Sequence, residues 1–110
     1  MAGSHAPELA ELVAAAATGD VDVEAMPEGE ATVYTIGDSM IARVAGRTAE
    51  FRLRPDVAAA AARTPEASPS PRGPEWVAFS PTTFDRFTRD RIEAWFEFAT
   101  RQVHGATQDH

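Results

Sequence analysis

Apolar residues recur along this chain with two periods, and each period marks a kind of element. In the last third they fall at Ile92, Trp95, Phe96, Ala99 and Val103. Steps of three and four make the stripe of an amphipathic helix with one face in a core. Just upstream, Trp76-Val77-Ala78-Phe79 reads as a buried strand running into that helix. Both tryptophans and five of the six phenylalanines lie between Trp76 and Phe98. Aromatic side chains bury the most area per residue, so the core is expected to centre here.

The first half carries the shorter period. A helix is expected over residues 7–18: Pro7 suits its first position, Leu9, Leu12, Val13 and Ala16 form a narrow stripe, and Gly19 stops it. From 20 to 26, Val21, Val23 and Ala25 alternate with Asp20, Asp22 and Glu24, the pattern of a half-buried strand. Pro27-Glu28-Gly29 is turn chemistry. Strands are then expected over 32–36, 40–45 and 48–54, joined by tight turns at Gly37-Asp38 and Gly46-Arg47. Pro55 opens a short alanine-rich helix over 55–63, with Val57 its only bulky apolar residue. Residues 64–75 hold four prolines, at 65, 69, 71 and 74, and read as a crossover to the Trp76 strand. The final helix starts at Ser80-Pro81, a cap with proline behind it, or restarts at Thr88.

These elements predict an α+β domain. An antiparallel sheet of about five strands carries the N- and C-terminal helices on one face. The short helix and the proline-rich crossover lie between the fourth and fifth strands. The domain is expected to span 7–104. Residues 1–6 are read as a flexible N-terminus, with 1–5 either native or a cloning scar, and 105–110 as a flexible C-terminus.

Bulk composition narrows the chemistry. At 110 residues the chain suits one domain with a core of its own. It has no cysteine, which excludes disulfides, thiolate nucleophiles and cysteine-ligated zinc. All ten basic residues are arginine, which excludes Schiff-base lysine chemistry and a P-loop. A formal net charge of −7 argues against non-specific nucleic acid binding. No apolar run reaches transmembrane length, so no membrane association and a cytoplasmic location are expected.

Candidate sites are few. Ile36-Gly37-Asp38-Ser39-Met40 resembles the first block of the GDSL-type serine hydrolases. Such a serine needs a histidine base held by an aspartate. The late Asp-x-x-His of that family is missing, since Arg101 stands three before His104, and a hairpin turn explains the motif. Asp20, Asp22 and Glu24, with Glu28 and Glu30 beyond, could offer oxygens to a cation. The calcium-loop pattern fails, because Ala25 and Ala31 occupy its glycine and glutamate positions; no metal and no cofactor are expected. Arg43, Arg47, Arg52 and Arg54 either clamp an anion or pair across strands with Glu24, Glu30 and Glu50. Tyr34, Phe51, Trp76 and Trp95 could line a cavity between sheet and last helix, with Arg43 or Arg52 holding an anionic group of a small hydrophobic ligand. Phe84, Phe87 and Phe98 lie off the main stripe and suggest a partner surface, so a homodimer is expected.

Ile41-Ala42-x-Val44-x-Gly46, Phe51-x-Leu53, Pro71-x-Gly73-x-x-Trp76-Val77-x-Phe79, Asp90-Arg91 and Ala94-Trp95-Phe96 together resemble small actinobacterial proteins of the "luciferase-like domain" family. The similarity covers residues 32–103. Related domains carry histidines in the third strand, where this chain has Arg43 and Ala45, so no catalytic residue is carried over. The order of elements is also similar to YjbR-like and secretion-chaperone-like domains, which implies a curved antiparallel sheet covered by helices on one face. The function expected is a small binding or accessory domain. A small luciferase-like enzyme or ligand carrier is the alternative.

Overall fold

The computed structural model describes residues 5–108, with side chains over 9–105. The elements are α1 (His5–Ala17), β1 (Glu24–Glu28), β2 (Ala31–Ile36), β3 (Ser39–Ala45), β4 (Thr48–Arg52), α2 (Pro55–Ala61), β5 (Ala67–Pro69), β6 (Trp76–Phe79) and α3 (Arg86–Gln108). All strand pairs are antiparallel, in the order β1-β2-β3-β4-β6-β5. The fold is α+β, with α1 and α3 packed together and against β3 and β4.

Three two-residue hairpins build the meander. Each places glycine first in the loop, and Gly29, Gly37 and Gly46 have φ of 64°, 59° and 60°. The second loop residues keep negative φ, since Glu66 is the sole non-glycine with positive φ among the described residues. Glycine first with only that residue at positive φ is the type II′ pattern, whose twist matches the flanking strands. Gly37-Asp38 therefore turns the β2–β3 hairpin, with Ile36 paired to Ser39, as the local sequence predicts.

The register then sorts side chains to two faces. Ala42, Phe51 and Val77 stand in one row across β3, β4 and β6. Arg43, Glu50 and Ala78 stand in the next row and point the other way. A bulge between β2 and β3 leaves Ile41 without a partner, and both Ile41 and Ala42 are fully buried. On the inner face Phe51, Phe79, Ile41, Val77 and Leu53 meet Leu9 and Val13 of α1 and Ile92 and Phe96 of α3. Burying one such side chain contributes about 1.5–3 kcal/mol.

Several boundaries differ from the sequence expectation. The sheet has six strands because the proline-rich crossover contributes β5 on the edge of β6. Glu66 turns the chain into it at φ 71°. The Ser80 N–H donates to the Glu66 carbonyl at 2.9 Å, and the Glu66 carboxylate accepts from the Thr82 N–H and hydroxyl. Tertiary bonds thus hold a backbone angle that glutamate rarely adopts.

The first strand starts at Glu24 rather than 20. The Asp22 N–H donates to Asp20 Oδ1 at 2.9 Å and the Val23 N–H to the Asp20 carbonyl at 3.2 Å. This side-chain-capped turn overrides the alternation. Val21 is left 97% exposed, and every residue of β1 is exposed. β4 stops at Arg52, although the Leu53 N–H still donates to the Glu75 carbonyl. Helix α2 is shorter than expected and ends at Ala61. Helix α3 starts at Arg86, not at Ser80, because Asp85 caps it by accepting from the Thr88 N–H at 3.0 Å. It also runs on through 105–108, residues expected to be tail. At the other end, residues 5–6, expected to be loose, open α1, and the rest of the expected loose ends, 1–4 and 109–110, lies outside the described residues. No helix among the described residues is long and apolar enough to cross a membrane.

Candidate functional site

The ligand residues suggested by the sequence divide between the two faces of the sheet. Tyr34, Phe51 and Trp95 are inside. The Tyr34 ring meets Phe96 edge-on at 5.5 Å, and Trp95 meets Phe79 edge-on at 5.2 Å and Phe51 at 6.0 Å. The space between sheet and last helix is thus where these rings pack on one another. Burial pushes the Tyr34 phenol pKa up, so it stays neutral and offers no base.

Arg43, Arg52 and Trp76 are on the other face, where no ring of that inner set can join them. Arg43 Nε lies 3.4 Å from Glu28 Oε1, and its Nη1 lies 3.9 Å from Glu50 Oε1. Arg52 Nε lies 3.0 Å from Glu75 Oε1. Arg54 sits 3.5 Å from Asp56. Arg43 and Arg52 are thus engaged with carboxylates of other segments and Arg54 with Asp56 two residues on, rather than forming an open clamp. Of the expected partners Glu24, Glu30 and Glu50, only Glu50 pairs with them among the described residues.

Glu50 is the centre of a lattice with Arg43 and Arg72 and is itself buried. It accepts from the Ser70 hydroxyl at 2.7 Å and from Arg72 Nε at 2.8 Å. Burial pushes the Glu50 carboxyl pKa up. The bonds from Ser70 and Arg72 and the charges of Arg72 and Arg43 outweigh it and hold the carboxyl below its ordinary value. Ser70 and Arg72 come from the proline-rich crossover, so the lattice also pins that loop over the sheet.

Pinning the loop opens a cleft beside it. Pro55, Ala58, Ala59, Ala62 and Arg63 of the α2 region form one wall, and Pro69, Gly73, Pro74 and Trp76 form the other, around about 420 Å³. The alanine run keeps the helix wall smooth. The Arg72 guanidinium lies 5.7 Å from the Trp76 ring centroid, within cation–π range. Arg63 at the rim is exposed. It has no ion-pair partner among the described residues. The sequence reading picked out Trp76 but missed Arg63, whose neighbours in the chain carry no motif.

A second, more polar groove of about 520 Å³ runs between the end of α1 and α3, lined by Gly19, Asp20, Glu93, Glu97, Arg101 and His104 among others. At its mouth His104 Nε2 lies 2.9 Å from Asp20 Oδ2 and 3.7 Å from Asp22 Oδ2. The Asp22 backbone N–H and the His104 ring together hold the Asp20 carboxyl below its ordinary pKa. Of the three carboxylates the sequence grouped, Asp20 and Asp22 come together with His104, while Glu24 lies in β1 outside the cluster.

The expected partner surface is reduced. Phe84 and Phe98 pack against the core, and Phe87 alone is well exposed, at 73%. Comparison of the chain with family models, with curated proteins and with solved structures finds no match.

Proposed function

We propose that this domain is a small binding module whose ligand has an apolar body and an anionic end, seated in the Trp76 cleft. The observation that carries the reading is the pairing of an apolar wall with one unengaged cation. Three prolines, three alanines and Trp76 face the space, and Arg63 stands at its rim. The volume falls within the range of small-molecule pockets, about 300–1,000 Å³. Arg63 is the one titratable side chain in the lining, and arginine does not give up its proton at physiological pH. The lining therefore supports holding a ligand rather than moving protons. The net charge of −7 works against drawing an anion in from a distance, so selectivity would rest on contact with the guanidinium.

Nuclear magnetic resonance of ¹⁵N-labelled protein tests this with a benzoate-class carboxylate and its neutral amide as probes. The Trp76 indole signal should move saturably, the Trp95 signal should stay, and the carboxylate should bind more tightly than the amide. Arg63→Ala should remove that preference. Absence of a saturable shift at Trp76, or a preference that survives in Arg63→Ala, overturns the reading.

A further inference from the structure

We propose that Asp20, Asp22 and His104 form a site for a divalent transition ion, with zinc the ion their chemistry suits. The site shares no residue with the Trp76 cleft and stands or falls independently of it.

The argument starts from the donor set. One imidazole nitrogen and two carboxylate oxygens lie within 4.8 Å of one another. Calcium and magnesium take oxygen ligands, whereas imidazole favours zinc and its first-row neighbours. The histidine therefore makes this cluster different in kind from the acidic edge of β1.

The spacing fits as well. Ligand atoms about 2.1 Å from a zinc ion at tetrahedral to octahedral angles are about 3.0–3.4 Å apart. His104 Nε2 stands 2.9 Å from Asp20 Oδ2 and 3.7 Å from Asp22 Oδ2. The third pair, Asp20 to Asp22, lies within 4.8 Å, and the exposed Asp22 carboxylate swings inward to close the set around an ion. Asp20 is held in place by the bond that its Oδ1 accepts from the Asp22 N–H, which leaves Oδ2 turned to the histidine.

The surroundings favour a cation. Glu93 and Glu97 line the adjoining groove with Asp20. The one guanidinium there, Arg101, is engaged with Glu97 at 2.7 Å. The groove also gives access for a fourth ligand, so three protein donors would leave an open coordination position, as in exchangeable zinc sites. Asp20 and Asp22 lie between α1 and β1 and His104 lies near the end of α3, so the ion would tie the two helices together.

Isothermal titration of chelator-treated protein with zinc chloride in excess magnesium tests the site. The expected result is one saturable ion per chain and a rise in the thermal midpoint on zinc addition. Losing a direct ligand should weaken affinity at least as much as losing an outer partner, about 10–100-fold. That loss is expected in His104→Gln and, as a variant whose exposed side chain adds little to the fold, in Asp22→Asn. The double variant His5→Gln/His110→Gln should bind like the parent. No saturable binding overturns the proposal. So does unchanged affinity in a folded His104→Gln or Asp22→Asn chain, or loss of binding in the His5/His110 variant.

Discussion

On the helix side of β4, Ala49 and Phe51 are completely buried against aromatic and aliphatic side chains. Between them, on the opposite side, Glu50 is almost as buried, at 8% exposure, yet its neighbours are Ser70, Arg72 and Arg43. One strand thus buries two kinds of residue by two means. Inside, transfer out of water stabilises by itself and needs no partner of defined geometry. Outside, burial of a carboxylate costs free energy until each oxygen is matched. The inner face can tolerate changes of shape within its volume. The outer face depends on particular atoms, and two of its donors come from a loop.

The contrast is tested most severely by Phe51→Ala. Phe51 has no exposed surface and touches Trp95, and removal should cost about 3–5 kcal/mol in a urea titration. Trp95→Ala should cost less, because Trp95 is only partly buried. Equal costs would mean that the last helix, not the sheet, anchors the core.

Glu50→Gln comes next. It keeps the shape but loses the charge that Arg72 and Arg43 face, at a cost of about 1–3 kcal/mol. The same variant should change the acid response. The folded-state pKa of Glu50 lies below its unfolded value. Its contribution is therefore complete above the unfolded pKa of about 4.3 and is lost as pH falls through the lower folded value. The parent should lose stability across that window, and Glu50→Gln should lose less. Asp20, also held low, keeps part of the slope. A steeper slope in the variant would overturn the sign. Ser70→Ala removes one neutral donor from the same carboxylate and should cost about 1 kcal/mol.

This asymmetry also explains what could be read from the chain. The Ile92–Val103 stripe and the Phe51/Leu53 alternation report apolar burial, and the structure keeps both. Glu50 looked like a solvent-facing member of that alternation, because the residues that cover it, Ser70 and Arg72, are twenty positions on in a stretch without periodicity. Strand β5 was hidden for the same reason, since its pairing is set by β6 and by the Glu66 bonds rather than by its own three residues. At 20–23 the alternation was present, but an aspartate side chain captured the backbone first. The Asp20–His104 contact joins residues 84 positions apart. Neither the Asp-x-Asp spacing nor His104, one of three histidines in the chain, announces it.

The mildest change sharpens the comparison most, because Arg52 lies on the outer face but outside the buried lattice. Its single bond to Glu75 is 3.0 Å long, and the two side chains remain 35% and 44% exposed. Water and salt screen such a pair, so Arg52→Ala should cost less than about 1 kcal/mol. The β4–loop connection should survive, because the Leu53 N–H still donates to the Glu75 carbonyl at 2.6 Å. A double-mutant cycle with Glu75→Ala isolates the pair energy, which should shrink further in high salt. A cost for Arg52→Ala near that of Phe51→Ala would mean that the outer face is a second core, and the distinction between the faces would fail.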